Sequence, residues 1–517
     1  MAELPVVEVQ SPSMNSAVLS MQNALRQNYD IRKGREAILA NKSYYITQLE
    51  EQSTEQYNAM AEMAPYYILY PKVVDGFTGT IFAKSPNLKG IDRSDKQKEQ
   101  DKNVDMLGNS IDQFSEKVVQ QVLENGFCAS YNDYADKEKR AFLRLVKPEQ
   151  FISFRSSTIN GYPKISQFIY REDVEVDDPN NEFDYVVHTK YTVLDLAKNK
   201  NNKDALNFRV RIYQSVNEKS SRTAEVGEKM ILQTEKFPIK GGKYFEDIPI
   251  VIHGVESNNF TVDRSLLQDI SDMNISVFQR TVDQVYMLHW TALPTPYITG
   301  ADEKESPNTI GPSKMWHIDN DAAKVGMLEF TGQSAKAHQD FIDNLLHIMS
   351  VMGAQILKKE GVSRETATSV LVRTSQQTSL VATMVNNVSG QLQSTLKVYY
   401  EWSGVTLTEE FEYVLNDDFI KVDMEPNAQI ALVKSWLDGA ISFDSMFNKM
   451  KEGEIIDPNK TMEEELEDIK KNPPPFFLET MEAEISARKD KENEKDDMKG
   501  SNLENENLNN PLGTEQV

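Results

Sequence analysis

The chain has 517 residues, 39% of them hydrophobic, enough for a sizeable core and about three domains by the usual length relation. Fifty-six Lys and Arg against eighty Asp and Glu give a net charge of -24. That excludes broad, tight binding of nucleic acid, whose affinity comes from cations neutralising phosphates. The single cysteine, Cys128, excludes an internal disulfide and suits a reducing, cytoplasmic site of synthesis. No apolar run approaches the roughly twenty residues of a membrane helix, and Met1 to Gln10 lack the basic-then-apolar order of a secretion signal.

Residues 1–34 read as an N-terminal arm. From Arg35 to Ala64 the composition favours helix, with Ile38, Tyr45, Ile46, Leu49 and Tyr57 inward and Pro65 as the stop. Tyr70 to Phe82 mixes helix and strand signals and fits either an apolar hairpin or a short helix. The charged run Asp92 to Asp105 reads as an exposed connection. Leu107, Ile111, Phe114, Val118 and Val122 then fall on one face of a helix that Gly126 ends in the left-handed conformation.

Residues 127–256 change character and predict a β-rich domain. Strands are expected at Phe142–Val146, Ile165–Tyr170, Tyr185–Val193, Phe208–Val216, Met230–Thr234 and Ile248–His253, with loops at Pro179–Asn181 and Lys198–Asp204. After Asn258 helical spacing returns through Leu266, Ile270, Met273, Val277, Val285 and Leu288. That segment ends near Pro294 and would reach about 50 Å at ~1.5 Å per residue. Pro294 to Gly332 is a Pro- and Gly-punctuated insertion with strand-like pieces around Tyr297 and Trp316, expected to protrude as a lobe. A second helix starts near Ser334 and uses Phe341, Leu345, Ile348, Met352 and Ile356 as its stripe. Lys358-Lys359-Glu360-Gly361-Val362 interrupts it, and Ser363 and Glu365 suit the start of a third helix reaching Trp402.

Within that third helix, Thr374 to Leu396 contains no Asp, Glu, Lys or Arg, against 26% charged residues overall. Val381, Met384, Val385, Val388, Leu392 and Leu396 recur at helical spacing, and Gln377, Asn386, Asn387 and Gln391 fill the polar face. Solvent-facing helices normally carry charge, so this one is expected to be wrapped on most sides, by another protein surface or by the core of one large monomer. Asn427 to Lys451 is helical around a turn, Gly439-Ala440-Ile441-Ser442, with Ser442 as a cap. Thr461 to Val517 holds sixteen acidic and seven basic residues, a net of -9, and beyond Glu484 a disordered tail is expected.

Familiar chemistry is missing. Gly241-Gly242-Lys243 lacks the upstream glycine and following Ser/Thr of a phosphate loop and reads as a β-turn. The six histidines show no metalloprotease spacing, and Cys128 has no companion for zinc. Asp417 and Asp418 suit a solvated surface, and no nucleophile-elbow motif occurs. No catalytic, cofactor or metal residue is therefore expected, and the chain is expected not to be an enzyme. Lys358, Lys359 and Arg364, with Arg373 just beyond, suit either helix-end electrostatics or a loop that lightly touches a passing polyanion.

The order of these elements resembles the portal proteins of tailed bacteriophages. The likeness is carried by Tyr70 to Pro86, by Asp269-Ile-Ser-Asp-Met-Asn-Ile275, by Glu365-Thr-Ala-Thr368 and by Trp436 to Ser442. It implies an α+β chain: a wing over 35–260, stem helices over 261–293 and 335–357, a clip over 294–334, a tunnel loop over 358–364, a long wing or crown helix over 365–402, a C-terminal wing or crown region over 403–484 and the acidic tail over 485–517. It further implies a ring, dodecameric in the family, at one capsid vertex of a virion. Partners would be further copies of the chain, duplex DNA held weakly and without sequence preference, terminase, the head-tail adaptor and the capsid or scaffold protein. Lys358, Lys359, Arg364 and Arg373 would face DNA, while Gln377, Val381, Met384, Val388 and Leu392 would pack between subunits. Tyr297, Met315 and Trp316 suit partner contacts of the clip, or the core of that lobe. A capsid-associated scaffold or adaptor, or a monomeric enzyme of unrecognised type, are the competing readings.

Overall fold

The computed structural model describes residues 8–159, 161–178, 181–199, 202–215, 229–256, 261–291, 295–300, 322–328, 333–354, 367–417, 426–452, 455–456 and 460–472. The chain divides into two units, Met1–Phe419 and Ile420–Val517.

The first unit opens with strand β1 (Glu8–Gln10) and helix α1 (Ser16–Lys33), in the stretch read as an arm. Asn15 caps α1 by accepting from the Ala17 amide, and its own amide donates to the Phe154 carbonyl, so the cap also anchors the helix. The single helix expected over Arg35–Ala64 is three pieces: α2 (Arg35–Ala40), α3 (Lys42–Tyr45) and α4 (Thr54–Met63). Ile46 is extended and Leu49, expected inward, is exposed. The physical cause is the Ser53/Gln56 capping box, which starts a new helix there. Tyr70–Ile81 is helix α5, with Pro71 in its first turn where no amide is needed.

Strand β2 (Asn87–Ile91) precedes α6 (Asp95–Asp101), which replaces the expected exposed connection. Gln97 and Asp101 are buried there, because Asp101 accepts from Arg93, Gln97 and the hydroxyl of Tyr400. Helix α7 (Ile111–Asn125) begins at a Ser110/Gln113 capping box. Leu107 lies ahead of it and is 83% exposed, so it leaves the predicted stripe. Gly126 ends α7 at φ 89, and a Cβ there would stand 2.1 Å from the Asp263 carbonyl oxygen.

Ten strands follow: β3 (Phe127–Ala135), β4 (Arg140–Val146), β5 (Phe151–Ile159), β6 (Tyr162–Asp178), β7 (Asn181–Asn199), β8 (Asn202–Ser215), β9 (Lys229–Lys236), β10 (Ile239–Lys240), β11 (Lys243–Tyr244) and β12 (Ile250–Gly254). Strands β4 and β6 to β9 exceed the expectation in length, β12 is shorter than expected, and β3 and β5 were unforeseen. A six-stranded sheet runs β1-β9-β8-β7-β6-β5, a three-stranded one β12-β3-β4, and β10-β11 form a hairpin over Gly241 and Gly242. Lys198 and Asn199 lie in β7 and Asn202–Asp204 in β8, where a longer loop was expected.

Helix α8 (Gln268–Thr291), strands β13 (Thr295–Thr299) and β14 (Lys324–Leu328), helix α9 (Gln333–Ala354), helix α10 (Ala367–Trp402) and strand β15 (Leu407–Val414) complete the unit, β15 pairing with β2. Every described ladder is antiparallel and helices pack against these sheets, which makes the fold α+β. Its main core joins α5, α7, β3, β12, the first half of α8 and the second half of α10.

The second unit holds α11 (Pro426–Leu437), α12 (Phe443–Glu452) and α13 (Met462–Lys471). Ser442 caps α12 by accepting from the Ser445 amide, and Trp436 meets Phe443 across the turn at Gly439. Residues beyond Asn472, including the tail from 485, lie outside the described residues.

Candidate functional site

Between Gln268 and Ala354 the described elements are α8, the paired strands β13 and β14, and α9, a helix-hairpin-helix order. Thr295 pairs with Leu328 and Thr299 with Lys324, so the ladder brings the end of α8 beside the start of α9. The two helices must therefore run antiparallel, and the Gln284 amide donates to Gln339 Oε1 at 2.8 Å between them. Burial changes along this pair. Ile270, Ile275, Val277, Phe278 and Val282 of α8 are in the core, whereas Leu288 near its end is 42% exposed. Phe341 of α9 and Val325 and Met327 of β14 are also half-exposed. Tyr297 sits opposite Gly326, where a Cβ would meet its ring at 2.6 Å. One face of Tyr297 thus covers a glycine while the residue remains 49% exposed, so it serves the packing of the β13-β14 pair and still presents a surface. Met315 and Trp316 lie outside the described residues.

Helix α10 spans 36 residues, about 54 Å at ~1.5 Å per residue. From Val381 onward it lies against β3, β4, β12, β15 and α7. Val381, Met384, Val388 and Leu392, expected between subunits, are between 0 and 5% exposed in the single chain. That corrects the expectation: the chain's own sheet covers them. The uncharged polar residues explain why no charge is tolerated. Gln391 accepts from the Gly254 amide, Asn387 donates to the Val255 carbonyl, Gln393 to the Phe411 carbonyl, and Ser389 accepts from the Leu415 amide. Each satisfies a main-chain group of a neighbouring strand or turn, a task amides and hydroxyls perform without the desolvation cost of an ion. The side of α10 left to solvent is Leu380, Thr383, Asn386, Gly390, Ser394 and Lys397. Arg373 and Gln377 belong to α10, but their side chains, like Lys358, Lys359 and Arg364 altogether, are outside the described residues.

Two other arrangements have chemical potential. Ser130 Oγ and His253 Nε2 lie 2.6 Å apart, the distance a nucleophile and its base require. Both residues are wholly buried, and among the described residues no carboxylate accepts from Nδ1 of His253 to orient the ring. Burial pushes the imidazole down to about 3, against a smaller upward effect of the nearby Gln391 side chain, so the ring is neutral and packed. Sequence spacing gave no sign of this pair, because β3 and β12 lie far apart along the chain. A cleft of about 430 Å³ opens between Tyr131, Arg144, Tyr170, Glu172 and Lys236. Its charges answer one another, Arg144 with Glu172 at 2.8 Å and Lys236 with Asp133 at 3.7 Å. Among the described residues no group of three or more His, Cys, Asp or Glu is placed to hold a metal, and no helix is long and apolar enough to cross a membrane.

A family model described as a domain of unknown function, DUF4055, matches residues 266–403, which is the stretch from α8 through the hairpin and α9 to the end of α10. No curated protein matches the chain. Among solved structures, a chain from the neck of an empty GTA particle computed with C6 symmetry is similar at 10% identity, covering 72% of this chain and 86% of that chain, with a TM-score of 0.32. So distant a likeness carries no argument about assembly. The family match and the geometry therefore fall on the same segment: two antiparallel helices, the hairpin at their shared end and the long helix that follows.

Proposed function

We propose that the chain is a phage portal protein: copies close into a ring, dodecameric as the resemblance implies, at one capsid vertex of a virion. Duplex DNA enters and leaves through the ring, terminase and the head-tail adaptor dock on it, and capsid or scaffold protein surrounds it. The protein acts as a conduit and not as an enzyme. The observation that carries this reading is the helix-hairpin-helix over 268–354, rooted in the core at one end and increasingly exposed toward the hairpin. Leu288, Phe341, Tyr297, Val325 and Met327 together leave large apolar groups in water, a cost that lateral contact with further copies would remove. The net charge of -24 supplies a wall that repels phosphate, and Lys358, Lys359, Arg364 and Arg373 supply brief contacts, so DNA passes without sticking.

Light scattering and electron micrographs of the purified full-length chain test this. The expected particle is a ring with a central channel and a mass many times the 58.9 kDa of one chain. A stable 58.9 kDa species under assembly conditions overturns the reading, and a closed oligomer without a channel replaces it with a scaffold or adaptor.

A further inference from the structure

Two features of the first unit lie outside the conduit reading, and they match each other. The first is an arm of the six-stranded sheet that no third strand flanks among the described residues. Strands β6 and β7 pair from Gln167 with Asp195 out to Asp178 with Asn181. Among the described residues their flanking strands stop earlier: β5 reaches only Tyr170 of β6, and the β8 pairing begins only at Lys190 of β7. The rest is a two-stranded ribbon about 26 Å long at ~3.3 Å per residue, an arrangement of marginal stability in water. From Glu172 to Tyr185 the sequence holds seven acidic residues and no Lys or Arg. At the root the acids are answered, Glu172 by Arg144 and Asp173 by Arg171 and the Thr189 hydroxyl. Farther out Glu175 and Asp177 are exposed, with no ion pair among the described residues. Asp177 pairs with Tyr185, which is 61% exposed, so both carboxylates and the phenol share one face of the ribbon.

The second feature is a basic and aromatic stripe on α1, in a chain that is otherwise acidic. Arg26, Tyr29 and Lys33 fall on one face at spacings of three and four, all exposed. The Arg26 guanidinium lies 4.2 Å over the ring of Tyr44, itself 63% exposed, and the Lys33 ammonium 5.5 Å from the ring of Tyr29. Neither cation has a carboxylate at ion-pair distance among the described residues. The cation-π contacts hold both charges in place, which lowers the entropy lost when an anion binds.

We propose that the acidic ribbon of one copy docks, through Glu175, Asp177 and Tyr185, on the Arg26-Tyr29-Lys33-Tyr44 stripe of a second copy. The proposal rests on the ring reading. A second copy is the occupant because both surfaces are exposed and without a covering element among the described residues, have opposite charge and carry aromatic groups suited to contact. Being different patches, they make a head-to-tail contact, the kind that propagates around a closed ring.

The test uses the full-length chain and measures the protomer concentration at half-assembly. Glu175→Lys with Asp177→Lys, and separately Arg26→Glu with Lys33→Glu, should each raise that concentration about tenfold or more, with far-UV circular dichroism unchanged. The quadruple variant, in which the charges are exchanged, should return to within about threefold of the parent. Either double variant assembling like the parent overturns the docking, as does a quadruple variant that fails to recover. A stripe variant that assembles normally but loses retention of duplex DNA overturns it in favour of a nucleic-acid contact. A parent chain that never assembles removes the conduit reading as well, which is a different result from a parent ring indifferent to these substitutions.

Discussion

His253 shows what a residue can owe to its surroundings. It sits in β12 against Ser130 of β3 and near Gln391 of α10, wholly buried, with no carboxylate paired to it among the described residues. Its pKa in the folded chain, lowered to about 3, is below the 6.5 of the free side chain. The unfolded chain therefore binds the proton first, and stability present above pH 6.5 is lost as pH falls. For one such group the loss from pH 7 to pH 5 is about 2 kcal/mol. Denaturant unfolding at the two pH values should show that loss in the parent and a clearly smaller one in His253→Gln. Gly126 offers the opposite case, a residue whose role was legible. A helix stripe ending at a glycine predicts a left-handed cap, and φ is 89. The close approach of the Asp263 and Arg264 backbone was not legible, because it comes from a partner far along the chain. Gly126→Ala should destabilise by at least ~1–3 kcal/mol, measured by thermal unfolding, since strained backbone and collision add.

At the scale of elements, α10 was readable as a helix because its apolar spacing and lack of charge are local properties. Which surface covers it was not readable, since the same pattern suits a neighbour's surface or the chain's own sheet. Contact with β3, β12 and β15 decided for the sheet. Met384→Ala or Leu392→Ala should thus cost about 2–5 kcal/mol in a dispersed single chain, whereas Ser394→Ala on the open side should stay within about 0.5 kcal/mol. Equal, small effects would mean that α10 is not packed as described. Helix α6 misled the reading for a related reason: Asp95 to Asp101 looks like a solvated run, yet Asp101 is internal because Arg93, Gln97, Tyr399 and Tyr400 converge on it. Composition registers charge and not its partners. In the β13-β14 hairpin, Gly326→Ala should displace the Tyr297 ring, and a change in Tyr fluorescence without loss of helix content would report it.

For the whole molecule, the proposed conduit predicts a separation of assembly from transport. Lys358→Ala, Lys359→Ala and Arg364→Ala combined should leave ring formation intact and reduce the DNA packaged or retained per particle several-fold, with the defect changing with salt. Packaging at the parental level removes these residues from the mechanism. Trp316→Ala should weaken adaptor binding to an assembled ring by at least about tenfold, read by co-sedimentation, if it is an anchor of that contact. Unchanged binding would return it to the lobe's interior.

By itself the sequence determined the things that depend on neighbours in the chain: the stretch rich in strands, the order of helix, insertion and helix that α8 and α9 follow, the cap at Gly126 and the long helix with its charge-free span. Hydrophobic period, capping residues and glycine preferences act over a few residues, so one chain is enough to read them. The tertiary structure alone decided that α10 is sheltered by its own sheet, that Asp101 and His253 are internal, that β6 and β7 outrun their flanking strands, and that Arg26, Tyr29, Lys33 and Tyr44 form one stripe. These depend on where residues far apart in sequence meet, and the free energy of that meeting is set by burial and partner, which no local pattern records.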